Sequence, residues 1–295
     1  MVLNRRVKKR IFVAGMLFIP VVHFVIFWVA VNFNSILLAF QRFDRDLGKN
    51  YFTLANFKDI PALFGEFGPM RVALGNTFMM WSFNVFFLLP WAFLITYFLY
   101  KKIALHKFWR TTLFLPGLIP GVAMTSIFIY IIYPDAPVGK FLGLFTGGNP
   151  PELLGMKYAR YTVILYNFLL HFGGSFVLLS GAMARVPKEV LESAQLDGAD
   201  MRIELFRIIL PLCWPTISML LLMNVSGLFT ASGPVLLLTN GNANTTTVSF
   251  WIFNSTRGNQ VYMPAAVGLI FTVILFPIVL LTRWGLGKVY ADVDF

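Results

Sequence analysis

Residues 186–215 read VPKEVLESAQLDGADMRIELFRIILPLCWP, and their reading decides the fold. On either side lie long apolar segments with almost no ionisable side chains. This stretch instead holds five acids and three bases before it re-enters an apolar run at Ile208. Pro187 suits the first turn of a helix, where its missing N–H removes nothing. Lys188 to Leu196 reads as a short helix with Val190, Leu191 and Ala194 on one face and Glu189 and Glu192 on another. Asp197-Gly198 is turn chemistry, because Gly tolerates positive φ and Asp can bond its own backbone. Asp197, with Asp200 three residues on, can also cap a second helix running through Phe206 into a bilayer. The product is a helix–turn–helix on a membrane surface, a shape suited to docking a soluble partner.

Composition supports the membrane setting. The 295 residues are 58% hydrophobic and 13% charged, whereas a soluble domain carries about 25% charged residues. The formal charge is +11, which in a soluble chain would suggest nucleic acid. Here the bases cluster at the ends of apolar runs, so anionic lipid and topology account for them and no nucleic-acid partner is expected. Cys213 is the single cysteine. There is therefore no disulfide framework, and Cys213 reads as a small buried hydrophobe.

Outward from the quoted loop, six apolar runs organise the chain. A basic tail over 1–10 precedes a first span within 11–40, thirty residues without Asp, Glu, Lys or Arg. That is longer than a signal-peptide core and exceeds the roughly 20 residues a spanning helix needs. Residues 41–76 read as an external loop with short interfacial helices, 77–99 as the second span, and 111–133 as the third. Pro116, Gly117 and Pro120 break the first half of the third span, which is tolerated where the freed backbone packs against protein. A Gly/Pro-rich external loop covers 134–160 and the fourth span 161–183. The charged loop follows over 184–208, then the fifth span at 209–232, an Asn/Thr-rich external segment at 233–260, the sixth span at 262–282 and a tail at 283–295. Of the 24 Lys and Arg, fifteen fall in the short segments placed inside and nine in the longer ones placed outside. The positive-inside rule thus puts both termini and the charged loop in the cytoplasm. The fold expected is all-α, a polytopic membrane protein with six transmembrane helices.

The spacing Glu192-Ser193-Ala194, Gly198, Ile208, Leu210-Pro211 resembles the EAA loop of bacterial ABC importer permeases: E-A-A, three residues, G, nine residues, I, one residue, L-P. Only Ser193 departs from it, a small-for-small exchange. Leu54-Ala55-Asn56-Phe57 with Asn76-Thr77 resembles the L-x-N-[YF] … N-T stretch before the second span of sugar permeases. The segment 233–260 resembles the Gly/Asn-rich stretch after the fifth span in the subfamily for maltose, glycerol phosphate and other saccharides. The chain is therefore similar to type I importer permeases of the carbohydrate subfamily. The resemblance implies that the first short helix is a coupling helix seated in a cleft of an ATPase subunit. Its coupling positions would be Glu189, Glu192, Ser193, Ala194, Asp197, Gly198 and Ala199, with Glu192 and Gly198 foremost. It further implies a second permease subunit as heterodimer partner, an ABC ATPase dimer, an extracytoplasmic solute-binding protein and a place in the bacterial plasma (inner) membrane. No cofactor is expected on this chain, ATP being used by the partner subunits, and the transport mechanism implied is alternating access.

Polar side chains inside apolar runs face a bundle interior or a cavity. On the fourth span Asn167, His171 and Ser175 recur at i, i+4 and i+8, with Tyr166 adjacent. Asn224 and Ser226 lie on the fifth span and Asn84 on the second. A sugar is held by amides, hydroxyls and aromatic faces without a strong fixed charge, and these seven residues supply such groups. The competing reading is interhelical hydrogen bonding, worth about 0.6 kcal/mol each.

Other classes fit less well. H-E-x-x-H and the P-loop pattern are absent. Gly173-Gly174-Ser175 with His171 puts a serine and a histidine on one helix rather than on facing helices, so a serine protease is disfavoured. None of the 13 acids falls in a span, which disfavours a proton- or sodium-coupled carrier. The alternative substrates are polyamine, phosphate or sulfate-like solutes, whose permeases share the EAA loop. A polyamine would want a mid-membrane acid and a free anion a mid-membrane base.

Overall fold

The computed structural model describes residues 5–44, 46–66, 68–170, 172–230, 234–258 and 260–290. In chain order, the longer helices are α1 (Lys8–Ala39), α2 (Pro69–Tyr100), α3 (His106–Phe114), α4 (Gly121–Ile132), α5 (Ala159–Leu170), α6 (Phe172–Ala184), α7 (Lys188–Leu196), α8 (Met201–Leu212), α9 (Trp214–Ser226), α10 (Val248–Arg257) and α11 (Tyr262–Val289). Five stretches are long and apolar enough to cross a membrane: Lys8–Ala39, Pro69–Tyr100, Gly121–Gly143, Ala159–Ala184 and Tyr262–Val289. A sixth is reached if the bent pair α8 and α9 counts as one span. Helices suit this setting because they satisfy their own backbone groups within the segment. The chain is a multi-pass membrane protein.

The helices depart from the expected bounds where local chemistry dictates. α2 begins at Pro69 rather than 77, so Asn76 and Thr77 sit inside a helix. α3 gives way at Phe114 to a 3₁₀ turn over Leu115–Leu118, and α4 starts only after Pro120. The breaks fall at the prolines, which lack a donor and clash with the preceding turn. α8 and α9 meet at 69°, where one continuous fifth helix was expected. Cys213 forms the corner with φ −88° and ψ −2°, and Pro215 follows in the first turn of α9. A proline there cannot donate back across the corner, yet suits a helix start. α10 occupies part of the segment read as an external loop.

The chain divides into two compact units, the first comprising residues up to Leu63 with Ile252–Thr272. Here α1 is apolar all round, and none of its most apolar window is buried, as a lipid-facing helix requires. The fold is all-α as expected, with one short hairpin beside the helices: Gln41–Asp44 and Lys49–Phe52 pair antiparallel as β1 and β2. Asp44 accepts from the N–H groups of Asp46 and Leu47 to close the turn. Asn56, 1% exposed, accepts from Arg42 Nε at 2.7 Å and donates to the carbonyls of Ala39 and Gln41 at 2.9 Å each. The asparagine of the L-x-N-[YF] likeness therefore latches the hairpin to the end of α1.

The second unit holds residues 64–251 and 273–295. Its largest core joins Leu89, Phe93 and Tyr97 of α2, Leu179 and Met183 of α6, Leu191 of α7, Leu205 and Ile209 of α8 and Leu220 of α9. The charged loop is thus rooted in the same apolar core as the spans. Asn76 of α2 donates to the carbonyls of Asn244 and Thr246 at 2.7 and 2.8 Å, and Thr77 accepts from Val248 N–H at 3.0 Å. These bonds pin a knot over 239–247 in which Asn240, Gly241, Ala243 and Asn244 all have positive φ. A Cβ on Gly241 would lie 2.2 Å from the Phe250 ring, so only glycine fits.

Candidate functional site

The charged loop forms a helix, a reversed turn and a second helix. Pro187, with φ −62° and ψ 134°, is the N-cap of α7 rather than its first helical residue. Leu191 points into the core and Ala194 is half-buried, while Glu189, Glu192 and Ser193 are exposed. Leu196 at the tip is 90% exposed. Val190, expected on the inner face, is also exposed. The motif glycine has a backbone role: Gly198 takes φ +79°, the Ala199 N–H reaches the Ala194 carbonyl at 2.9 Å and the Gly198 N–H the Gln195 carbonyl at 3.1 Å. This is a Schellman closure, with glycine at the left-handed position after the helix. The alanine and glycine of the motif are thus the two ends of one helix stop. Asp200 caps α8, accepting from Ile203 N–H at 2.8 Å. Asp197 is instead the C-cap residue of α7, which corrects the expectation that it shares in capping the second helix.

One residue of the loop escaped sequence reasoning. Glu204 opens the π-helical part of α8 and is 4% exposed. Lys101 Nζ donates to both of its carboxylate oxygens at 2.9 Å, and Tyr97 Oη donates to one at 3.2 Å. In sequence Glu204 is one of five loop acids; only its apolar neighbours Leu205 and Phe206 hinted at burial.

The candidate path residues separate into three groups. Asn84, Asn167, Ser175 and Asn224 line one cleft of about 440 Å³ with Trp81. Asn167 Nδ2 donates to Asn84 Oδ1 at 2.5 Å, and Asn224 Nδ2 donates to the Leu220 carbonyl at 2.9 Å. The Trp81 indole Nε1 is buried without a hydrogen-bond partner among the described residues. Tyr166 lies away from this cleft, buried against Phe128, with its hydroxyl 2.6 Å from Thr125 Oγ1. Ser226 lines a different hollow, about 700 Å³, with Trp214, Ser218 and Arg283. His171 lies outside the described residues. The cleft therefore presents amides, the hydroxyls of Thr77, Ser175 and Thr247 and an indole N–H, and among the described residues its lining carries no ionisable side chain.

This fold is shared with chains of solved ABC transporters. A chain from the crystal structure of a bacterial ABC transporter involved in the import of the acidic polysaccharide alginate superposes with a TM-score of 0.82 at 20% identity, covering 97% of this chain and 98% of that one. A second, from the alginate ABC transporter in complex with an alginate pentasaccharide-bound periplasmic protein, gives 0.81 at 21% identity, with 97% of each chain covered. In sequence, the chain is similar to the multiple sugar-binding transport system permease protein MsmF of Streptococcus mutans. The two are 26% identical over 279 residues, 92% of this chain and 93% of that protein. No family model matches.

Proposed function

We infer that this chain is the transmembrane permease subunit of an ATP-driven ABC importer for a sugar or oligosaccharide. The observation that carries this reading is the loop at 186–215: its motif residues build a helix stop that leaves Glu189, Glu192 and Leu196 facing outward, on a chain similar throughout to a sugar permease. An outward helix rooted by Leu191 in the core of the spans is built to receive a push from a soluble subunit. In this reading the termini are cytoplasmic, ATP is bound and hydrolysed by a partner ATPase dimer, and the chain itself performs no catalysis. A second permease subunit completes the pathway, and an extracytoplasmic binding protein delivers the solute. ATP closes the ATPase dimer, α7 moves with it, and the spans rock to expose the cleft. The uncharged amides of Asn84, Asn167 and Asn224 suit hydroxyl-rich, neutral solutes.

The test is recovery of tagged chain from detergent-solubilised membrane, with partners identified by mass spectrometry. Co-purification of an ABC ATPase and a second multi-span permease is expected. A clean monomer or homodimer without an ATPase would overturn the reading.

A further inference from the structure

The buried carboxylate of Glu204 has a use beyond holding the loop in place. It is surrounded by the core that joins α2, α6, α7 and α8, and an unpaired charge there would be strongly destabilising. Both of its oxygens are engaged by Lys101, the residue that ends α2, and one also by Tyr97 a turn earlier. Apolar contacts such as those of Leu205 and Ile209 can slide. A charge-assisted bond from Lys101 to both oxygens, joined by the Tyr97 hydroxyl one turn earlier, instead ties the carboxylate to two successive turns at the end of α2. α2 runs from this bond to Asn84 and Trp81 in the cleft, about 25 Å away at the helical rise of 1.5 Å per residue.

We propose that Glu204, Lys101 and Tyr97 form a transmission clamp that makes the coupling loop and α2 move as one body. Loop displacement then reaches the cleft through Trp81 and Asn84. The three are positioning residues: they touch no solute and act through α2. The inference rests on the importer reading, and it assigns to this chain an ionic link outside the EAA spacing.

The decisive variant is the double substitution Lys101→Met with Glu204→Gln. It removes both charges together and leaves no buried ion unpaired, so folding and assembly should survive. In purified importer complex reconstituted with its binding protein and saccharide, the ratio of stimulated to basal ATP hydrolysis should fall about fivefold or more, the lower range of allosteric couplings. Uptake should fall in parallel, while subunit stoichiometry stays unchanged. Lys101→Arg keeps the charge and should retain coupling. A double variant that assembles and couples normally overturns the clamp. One that fails to assemble also overturns it, because the pair then serves folding rather than transmission. If the wild-type chain yields no ATPase-containing complex, it is the importer reading that fails instead.

Discussion

The coupling loop and the cleft both place polar groups in an otherwise apolar chain, but they hold them in opposite ways. In the loop, the hydrogen bonds that set the shape close within six residues: Ala199 to Ala194, Gly198 to Gln195, Ile203 to Asp200. Its geometry is therefore fixed locally, and its outer side chains are free to meet a partner. In the cleft, Asn167 and Ser175 share the span 159–184, but Asn84 and Asn224 arrive from helices far away in sequence, so only assembly of the spans creates the site. A device that transmits force needs a stiff local shape, whereas one that must open and close needs walls on separate helices.

The largest expected effect tests the loop's outer face. Glu192→Lys reverses the charge of an exposed side chain with little cost to folding. Saccharide-stimulated ATPase of the assembled complex is expected to fall more than about tenfold, a change of 1.4 kcal/mol or more in coupling; unchanged stimulation would remove the assignment of α7. Next comes the stop itself. Gly198→Val puts a side chain at φ +79°, which costs about 1–2 kcal/mol. Uptake should drop about fivefold, and proteolysis within 194–200 should speed up. Gly241→Ala meets the Phe250 ring and should cost about 1–3 kcal/mol as overpacking, read as a lowered thermal midpoint of purified protein.

Smaller effects divide the cleft from its surroundings. Asn167→Ala breaks the bond to Asn84 and should raise the half-saturating saccharide concentration for uptake severalfold without altering assembly. Equal kinetics would assign that pair to helix packing. Tyr166→Phe removes only the hydroxyl bonded to Thr125. It should cost about 1 kcal/mol of stability and leave uptake kinetics alone, because the ring faces the core. A shift in saccharide preference in that variant would extend the path beyond the cleft.

The same contrast explains what the sequence disclosed. The helix–turn–helix at 188–212 was legible because proline, glycine and aspartate act on their own neighbours. The spans were legible from apolar length. The hairpin at Gln41–Phe52 was not, since four-residue strands carry too little alternation to separate them from a polar loop. The 69° corner was not read either, although Pro211 and Pro215 flank it, because prolines in a span permit a kink without fixing its angle. Glu204 was missed because its partners, Lys101 and Tyr97, lie over a hundred residues away. Four of the seven path residues share one cleft, which helical spacing could suggest only within a single span.

The corner at Cys213 has a practical consequence. The chain's one thiol is fully buried there, and a thiol in apolar surroundings is inert to aqueous reagents. The wild-type protein therefore behaves towards labels almost as a cysteine-free background. A cysteine introduced at Leu196, on the exposed tip of α7, would react alone. A fluorophore or spin label attached there would report directly when that tip passes from water into a partner's grip.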